Sequence, residues 1–489
     1  MYLKRGKFRG TAILAVTLVT ASCASVDDEL LVAKMPAAPT NWTANGDLAS
    51  SPTGDWVAAF DNPQLYEIIA EAIANNNDIR AAASNLDAAR AGAGITRAAL
   101  LPQIGANFNA SRNAVVINPT TAAQAGGGGG GAADRLFINN YSLGGQVSWE
   151  IDLWGRLLDE TRASYRDARA AFADLSGAEL SIAARTAQAW FALIEARQQR
   201  ELAERDTAAR ESNLRVTNRR YERGVSSSLD VRLSRSALGT SQANLALRQR
   251  LELEASRSLE VLLGRYPAAE LEAADTLPVM PALQGAGTPG EILARRPDLI
   301  AAEARMEAAG LRARAARKEL LPRITISSQA GTSGPVFSDL TDPTRLAGNL
   351  AGGLMQPLFQ GGRLRSNSKR TRATAQASLF NYIQTVLGAY EEAENAIAAE
   401  ELLASRENAL RLAFEEAAAA EDLTDRRYSS GAATIFNLLD AQTRRIQAES
   451  QYIQAQQQRV SNRVQLYLAI GGDFMTADRL AALEDDTGE

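Results

Sequence analysis

The sequence predicts a mostly α-helical chain with a minority of membrane-type β-strand, arranged as two structural repeats. Three observations lead there. Landmarks recur at a fixed distance along the chain. Unbroken helical runs exceed what a globular core uses. Short segments alternate strictly between apolar and polar residues.

Bulk properties narrow the function classes. The 489 residues carry 52 Lys+Arg and 57 Asp+Glu, a formal net charge of -5. This slight acidity, without a dense Lys/Arg stripe to follow a phosphate backbone, argues against a nucleic-acid partner. Histidine is absent, which removes Ser-His-Asp triads, imidazole metal sites and the usual proton shuttle. A single cysteine, Cys23, excludes a disulfide framework and a Cys-based zinc site. No phosphate-binding or dinucleotide loop is present, so no cofactor is expected. Carboxylate-only catalysis stays open.

Residues 1–22 read as an export signal. Lys4, Arg5, Lys7 and Arg9 precede an apolar run from Thr11 to Ala21, a length that suits a signal core better than a membrane span. Cys23 follows Val19-Thr20-Ala21-Ser22 and resembles the lipid-attachment cysteine of a bacterial lipoprotein box. Thr20 stands where that pattern prefers Leu, and Ala24 in place of Asp implies outer-membrane sorting. Ordinary cleavage after Ala24 is the alternative. No later segment has about 18 consecutive apolar residues. If the mature chain crosses a membrane, it must do so as a closed β-barrel.

The repeat is legible directly. Arg220-Tyr221-Glu222-Arg223-Gly224 and Arg427-Tyr428-Ser429-Ser430-Gly431 lie 207 residues apart. Gly155-Arg156-Leu157 with Gly362-Arg363-Leu364, and Leu263-Gly264 with Ile470-Gly471, keep the same spacing. Upstream, Leu100-Leu101-Pro102 pairs with Leu320-Leu321-Pro322, and Asp78 with Asp298, at a spacing of 220. The first half therefore holds 13 extra residues around Gly126–Gly131, a loop insertion with no phosphate-loop context.

Each repeat follows one order. A helix over about 63–99 places Ile68, Ile69, Ala72, Ile73, Ile79, Ala82, Ala83 and Leu86 at helical spacing. Pro102 stops it. Ile104, Ala106 and Phe108 then alternate with Gln103, Gly105 and Asn107; Leu143, Val147, Trp149 and Ile151 alternate with Gln146, Ser148 and Glu150. Period two makes one face apolar and one polar. That pattern fits a strand between lipid and water, and also a half-buried sheet under a lid. Trp149 and Trp154 suit an interfacial aromatic belt, although Trp149 could equally fill a core. Repeat two echoes the pattern with Ile324 and Ile326 and a glycine-diluted return strand over about 346–358.

Long helices follow at about 156–218 and 227–263, then again at about 363–425 and 434–469. The first would extend roughly 95 Å. Ala, Leu, Glu, Gln and Arg favour these helices, and the lack of a sustained Leu heptad argues against a two-stranded coiled coil. A sheet of packed helices around a wet channel fits better. Gly224 and Gly431 break the arms, with Ser227 and Thr434 as the following caps. Two hairpins should therefore point the same way.

Taken together with the repeat, Asp55-Trp56-Val57-Ala58-Ala59-Phe60-Asp61-Asn62-Pro63-Gln64-Leu65, Asp152-Leu153-Trp154-Gly155-Arg156, Leu101-Pro102, Arg296-Pro297-Asp298-Leu299-Ile300-Ala301-Ala302-Glu303 and Arg220-Tyr221-Glu222-Arg223-Gly224 resemble the TolC-like outer membrane factor family, especially its NodT-like lipoprotein members in RND-type multidrug efflux systems. The resemblance covers nearly the whole mature chain. It implies a homotrimer sharing one twelve-stranded β-barrel, four strands per protomer, above a long periplasmic α-helical barrel. It implies a periplasmic adaptor (membrane fusion protein), an inner-membrane RND-type pump and outer-membrane lipid as partners. The corresponding divisions are a signal peptide 1–22, an N-terminal extension and equatorial segment 23–62, a first repeat 63–264, an inter-repeat equatorial segment 265–295, a second repeat 296–471 and a tail 472–489. Adaptor docking falls on Arg223, Gly224, Ser430 and Gly431. The periplasmic gate falls on Tyr428, Asn437 and Asp440. Ala433 and Asn437 occupy positions where the family prototype has an arginine and an aspartate, so an inner salt-bridge ring is not expected. Asp440 is expected to tune ion passage or to be an ordinary exposed helical carboxylate. The function implied is passive outer-membrane exit; a non-channel periplasmic scaffold is the alternative, and an enzyme a more distant one.

Overall fold

A computed structural model describes residues 39–44, 56–117, 134–272, 274, 276–280 and 285–472. Cys23, the Gly126–Gly131 insertion, the signal segment and the tail beyond 472 lie outside the described residues. The helices are α1 (Pro63–Asn75), α2 (Asn77–Ala98), α3 (Arg156–Glu222), α4 (Ser228–Leu262), α5 (Pro297–Lys318), α6 (Arg363–Ser429) and α7 (Ile435–Ala469). The strands are β1 (Gln103–Ile117), β2 (Asp134–Ile151), β3 (Arg323–Gly334) and β4 (Ala347–Met355). The repeat holds in element lengths: α2 and α5 have 22 residues each, α3 and α6 have 67, and α4 and α7 have 35.

One expectation is corrected. The helix placed over 63–99 is two helices, broken at Asn76. The run Asn75-Asn76-Asn77 disfavours helix because Asn side chains compete for the backbone. Asn76 is extended (φ -64°, ψ 132°) and its side chain accepts from Asp78 N at 2.8 Å, capping α2. The same side chain donates to Leu262 O at 3.0 Å, satisfying a carbonyl at the end of α4. Thus α4 abuts α2 end to end. The second repeat does the same with different chemistry. Arg296, 220 residues on, donates to Ala469 O at 3.0 Å and joins α7 to α5. At both joints the chain leaves its helix through glycine with positive φ, Gly264 and Gly471. A Cβ at Gly264 would lie 2.9 Å from Asn75 O, so only glycine permits that approach. Each 67-residue helix, about 100 Å long, therefore runs beside a stack of two shorter ones.

The strands form one antiparallel sheet in the order β1-β2-β3-β4. Its register sorts the side chains by face. Ile104, Val147 and Leu350 share one row, Phe108 and Leu143 another, and Ile151, Ile324 and Leu354 a third. Gln146, Gln329 and Asn349 lie on the opposite face. Among the described residues the apolar face is open: Ile104 is 80% exposed, Leu350 77% and Leu354 71%. β4 ends at Met355, before the expected 358, because Pro357 cannot donate to a ladder. The two tryptophans act as corner latches. Trp149 Nε1 donates to Leu100 O at 2.9 Å, and Trp154 Nε1 to Pro322 O at 2.6 Å.

The main core sits at the waist of the helices. Trp190, Phe191, Val386, Ala393 and Val464 meet Trp56 and Phe60 from the N-terminal segment. Trp56 stacks on Tyr467 with centroids 5.9 Å apart, and Phe60 tilts against Phe191 at 5.5 Å. Trp42 Nε1 donates to Gly287 O at 2.7 Å, while Glu394 accepts from Thr43 N and Ala44 N. The segments flanking the first repeat therefore strap the helices at mid-height. We predict that Asn76→Ala lowers stability by about 1–2 kcal/mol through loss of the cap and the Leu262 bond. Asn77→Ala, at an exposed neighbour, should change it little; urea unfolding of the detergent-solubilised protein compares the two.

Candidate functional site

The candidate site is the end of the helical portion where the two hairpins turn. In the first tip Arg223 closes α3, Gly224 adopts φ 74°, and Ser227 opens α4. Asp230 N donates to Ser227 Oγ at 3.2 Å while Asp230 Oδ2 accepts from Ser227 N at 2.8 Å. In the second tip Ser430 closes α6, Gly431 adopts φ 81°, and Thr434 opens α7. Asn437 stands in place of Asp230 in the same box. Its N donates to Thr434 Oγ1 at 3.4 Å and its Oδ1 accepts from Thr434 N at 3.3 Å. The amide keeps the cap and drops the charge.

Of the predicted gate residues, the structure does not bring the three together within one chain. Tyr428 is buried against Ile435 and Leu438, with its hydroxyl 3.4 Å from Thr217 Oγ1 on α3. Asn437 is committed to its cap. Asp440 is exposed and accepts from Arg444 Nε at 2.8 Å. That bond and charge raise the Arg444 guanidinium above its ordinary range. Asp440 thus carries its own counter-cation one helical turn away.

Sequence reasoning placed Arg220 in the first tip motif but gave it no role there. Its guanidinium lies 4.4 Å over the Tyr428 ring and donates to Tyr428 O and Ser429 O, both at 3.3 Å. It therefore ties α3 to the C-terminal end of α6, where a cation is favoured. Nothing in the sequence distinguishes it from Arg427, its repeat mate, because the contact runs between repeats.

Above the tips, the seam between hairpins is polar. Arg210 is buried and bonds Asp206 Oδ1 at 3.0 Å and Thr443 Oγ1 at 3.2 Å. Asn213 Nδ2 donates to Gln442 Oε1 at 2.9 Å, and Ser450 Oγ to Gln199 Oε1 at 2.7 Å. Among the described residues no group of three or more metal-holding side chains occurs, and no helix is long and apolar enough to cross a membrane.

The sequence pattern of outer membrane efflux proteins matches residues 68–265 and 288–472. The chain belongs to the outer membrane efflux protein family. It is 28% identical over 456 residues to the pyoverdine export outer membrane protein OpmQ of Pseudomonas aeruginosa, covering 92% of this chain and 94% of that protein. It is 29% identical over 496 residues to the toluene efflux pump outer membrane protein TtgC of Pseudomonas putida, covering 97% and 99%. The outer-membrane channel OprN matches with a TM-score of 0.80 and 27% identity, over 90% of this chain and 98% of that one. The Campylobacter jejuni outer membrane channel CmeC matches in fold, with a TM-score of 0.84 at 20% identity over 93% and 97%.

This outer membrane efflux protein therefore has the TolC-like channel fold, with the β-sheet as its membrane part and the long helices as its periplasmic part. The family is one of efflux channels, which are not enzymes. For the tip, Arg220→Ala should loosen the α3–α6 contact by about 1–2 kcal/mol. Faster amide exchange over residues 425–435 in this variant, with Arg427→Ala unchanged, is the expected readout.

Proposed function

We propose that three copies of this chain close one twelve-stranded barrel, β1 of one pairing with β4 of the next, to form a passive exit duct for small molecules. The observation that carries this is the four-stranded sheet with two unpaired edges and an open apolar face. Such edges are not tolerated in lipid, and four strands are too few to close on themselves. Energy comes from elsewhere: a periplasmic adaptor engages the tips at Arg223, Gly224, Ser430 and Gly431 and couples the duct to an inner-membrane RND-type pump. The exposed Val225, Leu229 and Phe436 beside those glycines support docking there. Cys23 carries a lipid anchor to the outer membrane.

Closure of the duct rests on packing of Tyr428 and on the cap at Asn437, with Asp440 as the charged constriction. The polar seam supports opening by movement of the second hairpin, since hydrogen bonds can be exchanged along a seam that an apolar interlock would resist. Relatives of similar identity are named for two different cargoes, pyoverdine and toluene. This suits a wide polar duct in which the pump does most of the discrimination.

Planar-bilayer recording of the detergent-purified protein should give discrete conductance from a trimer. A monomeric, water-soluble, non-conducting protein would instead support a periplasmic scaffold with helical arms. In the same recordings, Asp440→Asn should reduce cation preference by roughly twofold by removing one charge per subunit from the constriction. An unchanged ion preference and gating would leave Asp440 as a surface carboxylate.

A further inference from the structure

We propose that the first three turns of α6 form a binding stripe for anionic phospholipid headgroups at the periplasmic surface of the membrane. The stripe is Arg365, Lys369 and Arg372, at i, i+4 and i+7, all exposed. It follows directly on Leu358 and Phe359, which are 92% and 89% exposed and continue the apolar edge below β4. Between Asp342 and Glu391 the chain contains no Asp or Glu, and the first turn of α6 has no acidic residue. None of the three cations has an ion-pair partner among the described residues.

Local helix stability does not account for this placement, because cations near a helix N-terminus oppose its dipole. The repeat makes the point sharper. The positions 207 residues earlier, on α3, are Leu158, Arg162 and Tyr165, with Asp159 and Glu160 between them and Asp167 just beyond. At the matching positions the first repeat has one cation, Arg162, where the second has three.

The stripe lies on the side of α6 that carries the N-terminal strap. At 3.6 residues per turn its members lie within about 40° of Glu394 around the α6 axis. Glu394 holds the backbone of Thr43 and Ala44, part of the segment that straps the helices at mid-height. Arg363 and Arg370 point to other sides; Arg363 is engaged by Gln360 and Arg370 by Asn367. The stripe spans only about 10 Å, too short to track a nucleic acid but matched to two or three headgroups beneath an apolar band. Basic residues at such a boundary attract anionic lipid.

This inference rests on the membrane-inserted barrel proposed above, and its test separates the two. The full-length protein is reconstituted in nanodiscs of four parts phosphatidylcholine to one part phosphatidylglycerol. The lipid retained after mild extraction is measured by mass spectrometry, and conductance is recorded from the same preparation. The wild type should retain phosphatidylglycerol enriched about threefold over the bulk ratio. R365Q/K369Q/R372Q should return to the bulk ratio, and R363Q/R370Q should retain the enrichment. Should the triple variant fail to assemble, the wild type in high salt replaces it, and enrichment should fall. A conducting wild type without enrichment, or a triple variant that keeps it, overturns the stripe. Unchanged lipid ratios with lost sedimentation on purified peptidoglycan also overturn it, in favour of the cell wall. Enrichment without conductance supports the stripe and counts against the duct.

Discussion

Backbone N–H and C=O groups at a sheet edge have no partner in hydrocarbon, and each unsatisfied group costs several kcal/mol. In this chain β1 and β4 present two such edges, flanking a sheet whose apolar face is uncovered. Neither problem has a solution within one copy. The ring proposed above answers both: the helical portion, two long helices each beside a stacked pair, continues the circle that the strands start.

The wall is built economically at its joints. Asn76 and Arg296 occupy equivalent places in the two repeats, and each caps a carbonyl at the end of a helix that arrives from far along the chain. One uses an amide and the other a guanidinium, which also pairs with Asp298 and Glu392 at 2.8 Å each. The repeats have diverged in chemistry while the constraint, a helix end that must not be left unsatisfied, stayed the same. The waist straps then add aromatic burial at the level of these joints, where the stacked helices would otherwise be free to hinge.

Towards the tips the balance shifts. The waist core is aromatic and aliphatic, whereas the contact between hairpins is a ladder of Arg210, Asn213, Gln199 and their partners. Buried polar pairs contribute little net stability but are costly to leave half-made. They favour a few discrete registers over a continuum, a property suited to the opening proposed above. Arg220 fastens the end of this ladder to Tyr428 from the neighbouring repeat.

Much of this was legible in the chain itself. Arg-Tyr and Gly-Arg landmarks at one spacing, and Leu-Leu-Pro at another offset by the loop insertion, revealed the duplication, and Ala-rich runs without Pro revealed the long helices. Period-two segments revealed the two faces of each strand, because these patterns arise from local geometry that each residue carries with it. The break at Asn76 was misread although its Asn run was visible, since the decisive partner, Leu262 O, lies 186 residues away. The same holds at the tip for Tyr428, whose partner Thr217 lies 211 residues away, whereas the Thr434–Asn437 cap is local and follows from its repeat mate Ser227–Asp230. Arg220 was indistinguishable from Arg427 until folding set one against the other repeat and left the other in water. Composition and periodicity determine which elements form and which face is apolar. Which ends meet, and which of two equal side chains bears a contact, is decided only by tertiary packing, because those energies belong to pairs of residues that sequence proximity does not join.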